Sequence, residues 1–223
     1  MINRQEWQLN LAKKAKKSGV DIKEDNRIDI DKLNELQINY DYIIDASGVA
    51  SISSQKYKFQ RIYYKEALLT VQYQVKGDFT EYNNTFRIIP FPAAKGYCWI
   101  FPRDERQANI GLGYFNYNDT KIKGKMLYNK LDNILEVLQI NGEIIKKAGG
   151  ICPTAIPRKL KYDNILLIGD AAGLTSPFHG GGLDLACFSA KKAVFKINEG
   201  DTDQYATSLF KEIAIKYLFE KKL

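Results

Sequence analysis

The chain has 223 residues, 45% hydrophobic and 12% aromatic, which is material for one large or two small cores and excludes a disordered chain. Its net charge of +7 arises from 33 Lys and Arg against 26 Asp and Glu. The one dense basic run, Lys13, Lys14, Lys16 and Lys17, has no aromatic-basic motif beside it and reads as a solvated helix side, not a nucleic-acid patch. Attraction to an anionic membrane surface or an acidic partner is the second reading of that charge. The three cysteines, Cys98, Cys152 and Cys187, are far apart and odd in number, which argues against a disulfide framework or a structural metal site and suits a reducing cytoplasm. No apolar run approaches the roughly 20 residues needed to span a membrane.

Trp7, Leu11 and Ala15 recur every four residues and predict a helix over 4–18, stopped by Ser18-Gly19. A short strand, "GVDI", is expected next, and "YDYIIDASG" reads as a buried strand running into a glycine turn. In "LLTVQYQV" apolar and polar residues alternate, the pattern of a strand with one buried face. "TFRIIPF", "GYCWIF" and "QANIGLGYF" follow, giving an antiparallel sheet of about four strands. Helical periodicity returns at 121–139, and a second short helix is expected at 142–147. "NILLIGDAAG" is again a buried strand, and "GLDLACFSAKKAVFKI" a helix launched from three glycines. In the last helix, 203–220, Tyr205, Leu209, Ile213 and Tyr217 form an apolar stripe read as core packing, with a peripheral membrane contact as the alternative. The order is α/β, antiparallel β, then α/β: a mixed fold with residues 1–58 and 148–223 as one split domain and 59–147 inserted into it.

The stretch with most chemistry is "ILLIGDAAGLTSPFHGGGL", residues 165–183. A buried parallel strand ends at Asp170, where open α/β sheets place their ligands. An ionised carboxylate only accepts hydrogen bonds, so a sugar-alcohol hydroxyl suits it. Pro177 and then Gly180, Gly181 and Gly182 stand just before a helix. There the backbone allows close approach, and free N–H groups favour negative charge. A glycine-rich turn alone would be unremarkable; the full spacing points to cofactor binding.

These residues resemble the second FAD-binding motif of flavoproteins with the p-hydroxybenzoate hydroxylase fold, and within that group the geranylgeranyl reductase family. "YCWIFP" followed by "NIGLG" is similar to that family's YxWxFP…GxG signature, and "YDYIIDASG", "NRQEWQLNLAKKAKKSGVDI" and "GGICPTAIP" are similar to further stretches in the correct order. The resemblance implies an FAD-binding Rossmann-like domain with an inserted antiparallel substrate domain. It implies that Asp170 holds the ribityl chain and that Gly182 and Leu183 donate backbone N–H groups beside the flavin ring. It places Arg4 on the ribityl-pyrophosphate side, although a surface arginine at a helix start is an equal reading. Ala46 and Gly48 would pack near the cofactor, with Ser47 where related hydroxylases carry an acidic residue. Tyr97, Trp99 and Phe101 would line the hydrocarbon side of the flavin; alternating aromatics on a strand are otherwise core.

His179, the only histidine, stands beside the three glycines, and an imidazole can pass a proton near neutral pH. It is the one catalytic candidate, set against a plain loop histidine. Cys98 within YCWIFP is either a thiol near substrate or a small apolar strand residue. No GxGxxG loop for the pyrophosphate occurs anywhere in the chain. The implied activity is reduction of isoprenoid C=C bonds in a prenyl lipid by FAD, in a truncated chain or in one part of a split enzyme whose protein partner supplies that loop. The alternatives are a flavin-dependent hydroxylase and a non-catalytic remnant or partner subunit that does not bind FAD on its own.

Overall fold

A computed structural model describes residues 4–82, 85–91, 96–117, 124–176 and 179–222, without the side chains of 4, 65–66, 91, 116–117 and 214–222. The fold is mixed α/β and holds two sheets. Helix α1 (Arg4–Lys17) leaves Trp7, Leu9 and Leu11 exposed, and its lysines face solvent. After it, "GVDI" forms no strand, contrary to the expectation. A strand needs a neighbour for its N–H and C=O groups, and none of the described strands pairs with it. Helix α2 (Ile30–Asn39) begins at Asp29, whose carboxylate caps the Lys32 N–H at 2.8 Å.

The first sheet is small. Strand β1 (Ile43–Asp45) pairs in parallel with β8 (Ile165–Leu167), and β8 pairs antiparallel with β7 (Lys161–Tyr162). Ile165, Leu166 and Leu167 are fully buried, as the continuous apolar run requires. β1 is shorter than expected: among the described residues only β8 pairs with it, and its Ile44 is exposed. Leu185, Ser189 and Ala193 of α6 (Leu183–Asn198) and Tyr205, Leu209 and Ile213 of α7 (Tyr205–Lys222) are buried; all but Ser189 belong to the core formed with β8. The stripe on α7 is therefore core over its described half. No helix among the described residues is long and apolar enough to cross a membrane.

Asp45 ends β1 as a buried carboxylate. It accepts from the Ser47 N–H at 2.9 Å, the Ser51 hydroxyl at 2.7 Å, the Ser53 N–H at 3.2 Å and the Ser47 hydroxyl. Burial pushes this carboxyl upward, but the hydrogen bonds from Ser47, Ser53 and Ser51 outweigh it and hold it below the ordinary value of 3.8. The same bonds fold the chain into α3 (Ile52–Lys56), which leads through α4 (Ile62–Lys65) to the second sheet.

The second sheet has five strands, one more than expected, in the order β3-β4-β5-β2-β6. They are β2 (Glu66–Gly77), β3 (Arg87–Phe91), β4 (Gly96–Asp104), β5 (Gln107–Tyr117) and β6 (Gly142–Pro153), all antiparallel. The fifth strand, β6, occupies the segment expected to hold a short helix at 142–147. It pairs with β2 along its whole length, and its β-branched Ile144 and Ile145 and paired Gly149 and Gly150 suit a strand better than a helix. One face carries Val71, Tyr73, Val75, Ile100, Ile110 and Leu112 and is covered by α5 (Gly124–Val137) through buried Leu127 and Leu131.

The opposite face carries the aromatics of β4. Register sets Tyr97 opposite Gly113 and Trp99 opposite Gly111. A Cβ at Gly111 would lie 2.1 Å from the Trp99 ring, so the indole rests flat on the bare backbone of β5. This gives the YxWxFP…GxG pattern a physical meaning: Gly111 is the floor under the Trp99 ring, while a Cβ at Gly113 would press first on Leu68, 3.1 Å away.

Two outcomes follow from this packing. Asp45→Ala lowers stability by about 3 kcal/mol, because the Ser47 and Ser51 hydroxyls and two N–H groups lose a charged acceptor; urea unfolding measures it. The Asp45 carboxyl titrates lower when folded than unfolded, so its contribution is complete above the unfolded value. It is lost as pH falls below about 4, and Asp45→Asn flattens that acid limb. Gly111→Ala, in a Trp7→Phe background, costs about 1–3 kcal/mol by overpacking. It shifts the emission of Trp99, only 8% exposed, toward that of a solvated indole.

Candidate functional site

β8 releases the chain into a tight turn, Gly169–Ala172. The turn is held from three sides. The Gly169 N–H donates to Ser189 Oγ of α6 at 3.0 Å, the Tyr63 hydroxyl donates to the Ala171 carbonyl, and the Thr175 hydroxyl donates to Asp170 Oδ1 at 3.2 Å. Asp170 is half-buried, and its carboxylate lies beside the entrance to α6: a Cβ built on Gly182 would sit 3.3 Å from Asp170 Oδ1. Gly182 caps α6, whose first-turn N–H groups have no acceptor within the helix. Leu183 opens that turn and is 49% exposed.

The parallel pairing of β1 with β8 brings the turn 48–50, and with it Gly48, against 169–172. Ala46 faces elsewhere. It lines a cleft of about 850 Å³ between α2 and the β1 end, along with Ile43, Ile44 and Ser47, and no residue of 169–183 contributes to that cleft. Pro177 and the side chain of Arg4 lie outside the described residues.

The loop between Asp170 and α6 bends over the second sheet. Gly180 has φ +68° and a backbone so close to Leu68 that a Cβ would stand 2.5 Å from Leu68 Cδ2. Ser176 and Gly181 close the loop on itself: the Gly181 carbonyl accepts from the Ser176 N–H at 2.8 Å, and the Gly180 N–H donates to the Ser176 carbonyl at 3.0 Å. The Tyr97 hydroxyl donates to the His179 carbonyl at 2.6 Å and ties the loop to β4. Burial pushes the Tyr97 phenol up to about 12, with the Cys152 thiol beside it adding to the shift, so the phenol stays protonated and keeps donating. His179 Nδ1 accepts from the Gly181 N–H at 3.0 Å, which leaves the ring proton of the neutral imidazole on Nε2.

Beneath the loop runs a groove of about 600 Å³. Its walls are Tyr97, Trp99 and Phe101 of β4, Ile88 of β3, Leu68, Thr70 and Gln72 of β2, the 148–152 stretch of β6, and His179 with Gly180. The three aromatics stand in series: Tyr97 and Trp99 are tilted with ring centroids 5.8 Å apart, and Trp99 and Phe101 are stacked at 6.1 Å. They line the groove and lie outside the α5-covered cluster, although Trp99 is itself buried.

For Cys98 the structure bears out the reading as a small apolar strand residue. Strand alternation turns it away from the groove into the α5-covered core, where it is fully buried and burial pushes its thiol up to about 12. Cys152 is the cysteine that lines the groove. The sequence held a signal for it: once β6 pairs with β2, Cys152 stands opposite Leu68 on the groove face. Gln72, Thr70 and Ser189 are further site residues that periodicity alone did not single out.

Residues 66–152, which comprise the five-stranded sheet and α5 up to the penultimate residue of β6, match the family model of the geranylgeranyl reductase catalytic domain. A digeranylgeranylglycerophospholipid reductase of Thermoplasma volcanium is 25% identical over the whole of this chain, which covers 61% of that protein. Digeranylgeranylglycerophospholipid reductase 2 of Methanothermobacter thermautotrophicus is 32% identical over 68% of this chain and 39% of its own length. Among solved structures, a geranylgeranyl bacteriochlorophyll reductase-like protein of Thermoplasma acidophilum superposes with a TM-score of 0.57 at 24% identity, covering 71% of this chain and 44% of that one. A flavin-dependent halogenase superposes with a TM-score of 0.58 at 18% identity, over 79% of this chain and 35% of that one, and shares the fold. The chain thus spans between 39% and 61% of the two reductases described here. The matched sheet and the relatives agree in supporting the geranylgeranyl reductase family.

Proposed function

We propose that this chain forms the flavin-ring and substrate part of an FAD-dependent reductase of isoprenoid C=C bonds, acting on a prenyl lipid. The observation that carries the reading is the hydrogen bond from the Tyr97 hydroxyl to the His179 carbonyl. It makes one loop serve two sites: its outer side closes an apolar aromatic groove, and its C-terminal end opens α6 beside Asp170. A hydrocarbon chain lying in the groove would end against whatever that glycine loop holds.

The residues fit the ribityl and ring portions of FAD. Asp170 offers an acceptor to a sugar-alcohol hydroxyl, and the first turn of α6 offers N–H donors to an electron-rich ring edge. Glycine at 182 keeps the space between them open, since a side chain would crowd Asp170 Oδ1. Bound there in its reduced form, FAD supplies a hydride to an isolated C=C bond. The groove residues hold the prenyl chain and exclude water from it. His179 is the candidate to deliver a proton to the second carbon, which it could do only as the imidazolium, with Nδ1 released from the Gly181 N–H.

In this reading the split domain serves the cofactor and the inserted sheet the substrate, with β6 (Gly142–Pro153) carrying the insertion beyond the expected boundary at 147. A GxGxxG segment outside these residues, on a protein partner or elsewhere, holds the pyrophosphate. A peripheral membrane contact would give access to the lipid.

The test is an anaerobic incubation of the purified chain with saturating FAD, dithionite and a geranylgeranyl ether lipid. The expected product gains two hydrogens per saturated bond by mass spectrometry. Hydroxylation of the substrate with oxygen consumption in a parallel aerobic incubation, in place of this gain, would favour the hydroxylase reading. Asp170→Ala is expected to weaken flavin affinity roughly 10- to 100-fold, the value of a charged hydrogen bond. A flavin absorbance titration reads this, and an unchanged affinity removes Asp170 from the role.

A further inference from the structure

The groove face of the second sheet is ordered by strand register into rows that change in polarity along the strands. Nearest the loop, Leu68 stands between Phe115 and Cys152. The next row holds Tyr97, Gly113, Thr70 and Gly150; the one after holds Ile88, Trp99, Gly111, Gln72 and Ala148. The row beyond holds Phe101, Asn109, Gln74 and Lys146. The face thus passes from apolar beneath His179 and Gly180, through a hydroxyl and an amide, to two further amides and a cation at the far end.

Gln72 stands at the turning point of that gradient. The Trp99 indole N–H donates to Gln72 Oε1 at 3.3 Å. An indole nitrogen only donates, so the carbonyl oxygen of the amide must face it, and the NH₂ group must face the other way. Among the described residues, Nε2 has no hydrogen-bond partner. Gln72 is half-buried, and its side chain lines the groove. Two donors of fixed direction are therefore presented within a wall made mostly of rings and aliphatic carbon. Such a group disfavours a hydrocarbon at that point, because the donors would lose water without a replacement acceptor.

We propose that Gln72 is a specificity-determining residue that selects amphiphiles and fixes their direction: its Nε2 donates to an acceptor oxygen at the head of the substrate, and the hydrocarbon tail runs past Tyr97 toward the 179–182 loop. This rests on the prenyl-lipid reading above and deepens it. The acceptor chemistry is shared by an alcohol or ether oxygen and by a phosphate, and Lys146 in the next row separates the two, since only an anionic head gains from it.

The test titrates Trp99 fluorescence in a Trp7→Phe background with three ligands: geranylgeraniol, geranylgeranyl phosphate and the matching C20 polyene hydrocarbon without oxygen. Expected is a preference of about tenfold for the oxygenated ligands over the hydrocarbon, the worth of one hydrogen bond. Gln72→Glu keeps the shape and the acceptor for Trp99 but removes both donors when ionised. It is expected to abolish the preference while Trp99 emission in the free protein stays the same. Gln72→Leu also loses the preference and binds the hydrocarbon at least as well as before. Lys146→Ala weakens only the phosphate if the head is anionic, and leaves all three unchanged if the head is an alcohol or ether. Equal binding of all three ligands to the parent protein, or a preference that survives Gln72→Glu, overturns the proposal alone. Failure of every prenyl ligand to bind overturns it together with the reading it rests on.

Discussion

Backbone register between β4 and β5 is the constraint on which the groove depends. It sets two rings opposite two hydrogen atoms, Tyr97 over Gly113 and Trp99 over Gly111. A side chain at 111 would lift the indole off the sheet. With both rings on this face, the Tyr97 hydroxyl reaches the His179 carbonyl and the Trp99 nitrogen reaches Gln72. The loop, the wall and the polar point of the groove thus all descend from one pairing pattern that a one-residue slip would invert.

The second constraint is the short parallel pairing of β1 with β8. It is only three residues long, too little to order two loops by itself. Hydrogen bonds beyond the strands supply the rest. Asp45 gathers Ser47, Ser51 and Ser53 at the end of β1, while Ser189, Tyr63 and Thr175 gather the turn after β8. In each case a buried polar atom is satisfied by a neighbour that is itself fixed, which is how a strand end becomes a defined position for a carboxylate.

Much of this was legible in the sequence where a pattern had one physical meaning. Alternation in 69–75 and the apolar run 165–167 gave β2 and β8, and the aromatics at 97, 99 and 101 could share a face only on a strand. The misreadings lie where local pattern is silent about partners. "GVDI" has strand-like residues but no strand to pair with, and 142–147 has helix-compatible residues but a long edge of β2 waiting beside it. Which cysteine faces the groove likewise depends on strand parity, so Cys98 fell on the core side and Cys152 on the open side. Gln72 looked like one polar residue in an alternating strand. Only the indole across the sheet reveals which way its amide points.

Because the groove is built on strands, its length is counted in residues. From Leu68 under the glycine loop to Gln72 is four residues of β2, about 13–14 Å of extended chain. In the proposed reading the sheet is then a ruler with a stop at one end and a mark at the other. A bulge or a two-residue change between those positions would reset the distance without altering any wall residue. Chain-length selectivity in such proteins would then be carried by strand register, in the backbone count between two fixed points.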